Sequence, residues 1–260
     1  MFNIDSEVMY SEYFRVEKKG KIEKLYYKET LVKEYPEVVL YRCYKEDVMK
    51  HFENRGTKVI NSAKGMGTIR DKYKTHLVAK KLGILQPKFL SAKAKNFNYI
   101  SACLGIPFVM KKNTGSKGEY VYLVNSKEEY DEVINSNNNM NFMYQEYLEE
   151  SKGSDYRLYI VGNKIIGCIN RMSKSEDFRA NISRGGEAIE SDVPSSIKEQ
   201  SLLIAKTLGL EICSIDYLKT GDHYYFCEGN GSAGFLAFTK LGYNMQKIFM
   251  QYISEKYTTE

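Results

Sequence analysis

No apolar run in the sequence approaches the roughly 20 residues that a bilayer-spanning helix needs, so no membrane partner is expected. The opening residues, MFNIDSEVMYSEYF, lack a basic stretch followed by an apolar core. That excludes a secretory signal and makes the cytoplasm the expected compartment. The five cysteines, Cys43, Cys103, Cys168, Cys213 and Cys227, are odd in number and never spaced CxxC. A disulfide framework and a zinc site are therefore excluded, and most of them are expected as small buried hydrophobes. The three histidines, His51, His76 and His223, fall in no nucleophile–base pattern. No GxxxxGK[ST] is present, and GMGTIR at 65–70 lacks the third glycine of the dinucleotide fingerprint, so it reads as a turn. Repeats and long low-complexity linkers are also missing.

What is present is an ordinary globular composition, 43% hydrophobic and 27% charged over 260 residues, enough for one large domain or two modest ones. The net charge of +5 comes from lysines spread along the chain. It suits an anionic small ligand, with solvated lysines as the simplest account, and no aromatic–basic motif supports a nucleic-acid partner.

Along the chain, strand and helix patterns alternate. PEVVLYRCY reads as a strand, KEDVMKHFENRG as a helix stopped by Gly56, and TKVINSA as a strand. TIRDKYKTHLVAKKLGI reads as one helix with a capping box at Thr68 and Asp71, ended by Gly83. Residues 88–148 hold a strand IPFVMKK, a loop NTGSKG, a strand EYVYLV, a helix opened by Ser126 with Glu129, and a strand FMYQEYL. Two hairpins follow, one around Gly162–Asn163 and one around Gly221. Between them lies the helix SSIKEQSLLIAKTLG, with a capping box at Ser196 and Glu199. The whole reads as α+β, with largely antiparallel sheets after an α/β start.

The second hairpin carries the first site argument. With its turn at Gly221 and Asp222, Asp216 falls opposite Glu228, and Asn230 shares a face with Glu228. Two carboxylates that close repel unless a cation separates them, and an all-oxygen donor set selects Mg²⁺ or a similar ion, which commonly brings phosphate. The alternative is an exposed strand end. Lys111, before the Gly- and Ser-containing loop 113–118, and the arginines Arg157, Arg171, Arg179 and Arg184 could receive phosphate charge. For these the alternative is a solvated surface.

Several segments in order resemble the ATP-grasp ligases, and within them the RimK-like branch. They are INSAKGMGTIRDKYKTHLVAKKLGILQPKF, PFVMKKNTGSKGEYVYLV, the run from MYQEYLEESKGSDYRLYIV to ISRGGEA, SIDYL and CEGNGSAGF, spanning about residues 58–240. The resemblance implies an ATP-grasp fold, two α+β subdomains gripping ATP, behind a shortened α/β N-terminal domain. The boundaries are 1–68 and 69–260, the latter divided into a central lid at 88–148 and a catalytic part at 149–260. It implies a carbon–nitrogen ligase of the EC 6.3 type, joining a carboxylate to an amine through an acyl phosphate and releasing ADP and phosphate. The substrate would be an amino acid, a peptide or a protein tail, and a homo-oligomer is left open. The alternative is a non-catalytic ATP-binding protein. ATP is implied with Mg²⁺, or Mn²⁺ in its place. Lys72 and Lys111 would contact phosphates, with Ser116 in the covering loop. Gln145, Glu146, Tyr147 and Leu148 would line the adenine pocket, and Asp155 would take the ribose. Arg171, Arg179 and Asn181 would lie near the triphosphate and acyl phosphate, with Arg171, Arg179 and Lys111 catalytic. Asp216, Glu228 and Asn230 would hold the metal, and the glycines after them would keep the chain clear of the phosphates. Three departures stand out: only about 70 residues precede Lys72, Met172 replaces a frequent second arginine, and NGSAG replaces NxSPG.

Overall fold

The first 35 residues, which carry no clear strand–helix–strand pattern, hold a small sheet of their own in the computed structural model. The structure describes residues 4–94, 96–115, 119–174, 178–180 and 186–257. Strands β1 (Phe14–Lys19), β2 (Ile22–Tyr27) and β3 (Thr30–Leu31) form an antiparallel meander that buries Phe14 and Leu25. The expected α/β start follows. β4 (Val38–Leu40) crosses over through α1 (Glu46–Asn54) to pair in parallel with β5 (Lys58–Ile60).

The single helix expected from residue 68 is two. α2 (Ala63–Arg70) is capped by Ser62, whose hydroxyl accepts from Gly65 N, and α3 (Lys72–Lys81) is capped by Asp71, whose carboxylate accepts from Lys74 N. Thr68 is therefore helix interior and not a cap, and GMGTIR is helix and not turn. Its glycines answer to close packing: a Cβ on Gly65 would stand 2.5 Å from Leu208 O, and one on Gly67 2.9 Å from the Tyr44 hydroxyl. Glycine's helix penalty of about 1 kcal/mol is smaller than the cost of such clashes.

Next comes a four-stranded antiparallel sheet, order β6-β9-β7-β8. Its elements in chain order are β6 (Phe89–Leu90), α4 (Phe97–Leu104), β7 (Phe108–Lys112), β8 (Val121–Val124), α5 (Lys127–Ser136) and β9 (Phe142–Glu146). Ser126 caps α5 as expected. One face packs Phe108, Met110, Phe142 and Tyr144 with Ile100 and Leu104 of α4 and Tyr130 of α5.

The remaining strands make a five-stranded antiparallel sheet, order β12-β11-β10-β13-β14. These are β10 (Ser154–Val161), β11 (Lys164–Met172), β12 (Glu187–Ser191), β13 (Ile212–Thr220) and β14 (His223–Asn230). Helix α6 (Ser195–Leu208) starts one residue before the expected cap: it follows Pro194 and has no side-chain cap, so Ser196 and Glu199 form no capping box. Leu158, Ile160, Ile215 and Phe226 pack with α6, α1 and α2, while Tyr159, Val161 and Ile169 pack on the opposite face with α7 (Leu236–Lys240) and α8 (Met245–Tyr257). Of the cysteines, only Cys168 and Cys213 are fully buried, fewer than expected. No helix among the described residues is long and apolar enough to cross a membrane.

Buried Asn61, at the end of β5, ties the units together. Its amide donates to Ile212 O at 2.7 Å and Gly231 O at 2.8 Å, and its oxygen accepts from Glu211 N and Ile212 N. The segment after Asn230 is thereby fastened to the start of β13.

Candidate functional site: two clefts meeting at Lys72, Cys227 and Glu228

The strand pattern sets a row of charges across one face of the five-stranded sheet. Asp155 and Arg157, two apart on β10, share a face; Arg171 of β11 lies opposite Asp155, and Asp216 of β13 lies opposite Arg157. Asp216 in turn pairs with Glu228 of β14. Arg157 grips Asp216 through two bonds, Nε–Oδ1 at 2.8 Å and Nη2–Oδ2 at 2.6 Å. Arg171 grips Asp155 at 2.6 Å through both Nε and Nη2, and also reaches Asp216 Oδ2 at 2.9 Å. These arms are not a solvated surface hairpin: Asp216 is fully buried and Arg171 is 5% exposed.

Burial in this row works against every charge, and the neighbours decide the outcome. It opposes ionisation of Asp216, yet Arg157 and Arg171 hold that carboxyl below its ordinary value. Burial, with Asp216 adding to it, raises Asp155 to about 6 against the pull of Arg171. Arg171 stays charged because Asp155 and Asp216 outweigh its desolvation. Asp216 is thus neutralised by guanidinium groups, and its nearness to Glu228 does not by itself demand a metal.

Beside this row opens a cleft of about 820 Å³ between the two larger sheets. Lys72, Lys111, Gln145, Glu146, Tyr147, Leu148, Asp155, Arg171, Arg179 and Glu228 all line it. Lys111, buried at 8% exposure, places Nζ 3.7 Å from Cys227 Sγ. Lys72 opens α3 and gives Nζ to Gly115 O at 3.1 Å; burial, with Lys111 adding to it, lowers its pKa against the pull of Glu228. Arg179 donates to Val121 O at 3.3 Å. Gln145 is 1% exposed, and neither its Oε1 nor its Nε2 has a hydrogen-bond partner among the described residues. Ser116, Asn181 and Arg184 lie outside the described residues.

The expected metal ligands gather: Asn230 Nδ2 lies 3.4 Å from both Asp216 Oδ2 and Glu228 Oε1. Among the described residues no cluster of three or more His, Cys, Asp or Glu forms, so two carboxylates and an amide are the donor set. The set offers only oxygen donors once the Asn230 amide turns its Oδ1 inward, and although Arg157 and Arg171 hold the Asp216 oxygens, the Glu228 carboxylate has no ion-pair partner within 4.0 Å among the described residues, so the residues can take a hard divalent cation. The glycines around Asn230 have a different task from the one expected. A Cβ on Gly229 would meet Ile69 at 2.6 Å and one on Gly231 would meet Met66 at 2.3 Å, so they admit α2 against β14, while Gly234 faces open space.

A second cleft, about 980 Å³, shares Lys72, Cys227 and Glu228 with the first. Its outer wall carries Arg42 and Arg70, which sequence reasoning did not single out. Arg70 is the last residue of α2 and directly precedes Asp71–Lys72. His76 is buried, with Nε2 3.1 Å from Cys227 O and Nδ1 2.6 Å from Gln86 Oε1. Burial pushes its pKa down to about 4, leaving the ring a neutral brace, in keeping with its lack of a nucleophile–base pattern.

Comparison with known proteins agrees with this geometry. Residues 69–253 match the RimK-like ATP-grasp domain family. A probable alpha-L-glutamate ligase of Legionella pneumophila (strain Corby) is 28% identical over 218 residues, 82% of this chain and 72% of that protein. One from Vibrio vulnificus (strain YJ016) is 31% identical over 74% of this chain and 65% of that protein. Among solved structures, the ATP-grasp ligase PsnB with precursor peptide PsnA2 and AMPPNP aligns with TM-score 0.66 at 16% identity, covering 95% of this chain and 87% of that one. D-alanine–D-alanine ligase from Bacillus anthracis with ATP gives 0.64 at 19% identity, over 80% and 72%.

Proposed function

Because the chain belongs to the RimK-like ATP-grasp family, we propose that its first cleft takes ATP and its second delivers the carboxylate to be activated. The chain is an ATP-dependent ligase that joins a carboxylate to an amine. The observation that carries the placement is Gln145, a buried amide whose Oε1 and Nε2 have no hydrogen-bond partner among the described residues, in the lining of a cleft that Lys72, Lys111 and Arg171 also line. An adenine edge, a donor beside an acceptor, matches that amide, and Asp155, which lines the same cleft in its pair with Arg171, is the ribose contact of this reading. The strand grouping supports a division at 1–68, 69–260, 88–148 and 149–260, since β6 to β9 fall within the third span and β10 to β14 within the last.

In this reading the substrate carboxylate attacks the γ-phosphate in line. Lys72, Lys111, Arg171 and Arg179 spread the charge of the transferring group, and Lys111, held almost dry, acts strongly. A divalent cation, Mg²⁺ or Mn²⁺, held by Asp216, Glu228 and Asn230, would supply further phosphate neutralisation and orientation. The acyl phosphate is then attacked by the amine, giving the amide and phosphate. The curated relatives are named probable alpha-L-glutamate ligases, and that name supports glutamate as one substrate, with an amino acid, peptide or protein tail as the other.

The test is incubation with ATP, Mg²⁺ and mixtures of amino acids and peptides. A product lighter than its summed parents by one water, formed with ADP release, is expected. Lys111→Ala should slow it on the order of 100-fold or more. ADP release without such a product, or an unaffected K111A variant, would refute the reading.

A further inference from the structure

Two ammonium groups that line the first cleft come from different units, Lys72 from the first residue of α3 and Lys111 from β7 of the four-stranded sheet. Like charges repel: burial lowers the Lys72 pKa, and the Lys111 charge lowers it further. Something in the fold must hold the two units together against that repulsion. The join is Asn113, the residue after β7. Its N–H donates to Asn141 O at 2.8 Å, just before β9, which keeps it part of the sheet that carries Lys111. From there it takes over the open end of α3. Its carbonyl accepts from Lys72 N at 2.9 Å, its Oδ1 accepts from Tyr73 N at 3.0 Å, and its Nδ2 donates to Asp71 Oδ1 at 2.9 Å. The same Asp71 oxygen accepts from Lys74 N at 2.9 Å. A helix begins with N–H groups that have no partner inside the helix and are ready to meet an anion. In α3 the N–H groups of Lys72, Tyr73 and Lys74 are all spent, two of them on Asn113, so they are not free for phosphate. A bridge between Asp71 and Thr114 and the bond from Lys72 Nζ to Gly115 O continue the join.

We infer that Asn113 is a positioning residue: it fixes the start of α3 to the end of β7, so that Lys72 and Lys111 meet a nucleotide as one preset pair of cations. This rests on the ligase reading of the site, in which both lysines take phosphate and Asn113 itself touches none. Asparagine suits the place because Tyr73 N takes an acceptor and the Asp71 carboxylate takes a donor, and a short amide offers both. A carboxylate at 113 would satisfy Tyr73 but face Asp71 with like charge, and a methyl would satisfy neither. Without the amide the two lysines are free to move apart, and the cost of ordering them falls on nucleotide binding.

The test is binding of a fluorescent ATP analogue, with Mg²⁺, to the full chain. Asn113→Ala should weaken it roughly tenfold, the equivalent of losing the two side-chain hydrogen bonds. Asn113→Asp should do at least as much harm. The exchange of Asn113→Asp with Asp71→Asn, which again sets an amide donor against a carboxylate, should recover most of the loss. In a Lys72→Ala chain, where no pair is left to preset, Asn113→Ala should cost less than about twofold more. Full affinity in N113A, an equal loss with and without Lys72, or an exchanged pair no better than N113D overturns the inference and leaves the ligase reading standing. If N113A does not fold, N113D and the exchanged pair decide by the same comparison, with and without Lys72. An unmodified chain that does not bind the analogue counts against the ligase reading itself and overturns the inference with it.

Discussion

Replacing Gln145 by Met keeps the length of the side chain and removes both polar atoms. Those atoms are buried and have no partner among the described residues, and each such group costs about 1–3 kcal/mol. Taking about 1.5 kcal/mol for each of the two atoms and about 1 kcal/mol back for imperfect packing of the thioether, Gln145→Met should stabilise the free protein by about 2 kcal/mol. For a chain of this length about 1 kcal/mol corresponds to roughly 2–4 °C in Tm, so a rise of about 4–8 °C is expected. With ATP the sign reverses. The variant loses two hydrogen bonds of about 0.5–1.5 kcal/mol each, which weakens nucleotide binding by roughly 5- to 150-fold. Thermal melts with and without nucleotide, joined to calorimetric titration, read both effects on one sample. A Tm that falls, together with unchanged ATP affinity, would show that Gln145 is a packing residue and that the base lies elsewhere.

Two further expectations test the frame around the site. Gly65→Ala places a Cβ 2.5 Å from Leu208 O; overpacking of about 1–3 kcal/mol should exceed the helix-propensity gain of about 1 kcal/mol, and urea unfolding should show a net loss. Glu211 accepts from Tyr252, Tyr257 and Lys58, and although burial opposes ionisation these partners hold its pKa down to about 2. A carboxyl depressed in the folded state stabilises above its unfolded value and loses that contribution as pH falls toward the folded one. About 3 kcal/mol should therefore vanish between roughly pH 4.5 and 2, and Glu211→Gln should flatten that part of the urea-midpoint profile.

What could be read from sequence was what period and order determine. The hairpin pattern put Arg157 and Arg171 on two arms of one hairpin and Asp216 opposite Glu228 in another, while Asp155 entered only through the family resemblance and the pairing of β10 with β13, which brings Asp216 beside Arg157, was not read. Tertiary compensation was not legible. Glycines in GMGTIR signal a turn by local propensity, and only contact with Leu208 and Tyr44 makes them helical necessities. The meander at 14–31 gave no signal of the expected kind, because its strands are short and largely exposed, with Phe14 and Leu25 the only residues fully buried in them. Arg42 and Arg70 were missed for the same reason: each is an ordinary polar residue until α2 and the segment after Asn230 are packed beside each other.

The pairing of Asp216 with Glu228 shows how a correct expectation can rest on an incomplete cause. A two-residue turn at Gly221–Asp222 sets Thr220 opposite His223 and Tyr217 opposite Phe226, and that register continued would put Asp216 opposite Cys227. A bulge between Asp216 and Tyr217 inserts Cys227 as an unpaired residue and shifts the register, which brings Glu228 level with Asp216 and Asn230 level with Ser214. The bulge is braced from both sides, by His76 Nε2 beside the Cys227 carbonyl and Lys111 Nζ beside its thiol. It is also where the two clefts meet, since Cys227 and Glu228 line both. Without the extra residue the side chains beyond it would exchange faces, and Glu228 would leave the row that Arg157, Asp216 and Arg171 begin. The irregular residue is therefore what lets one strand line both clefts.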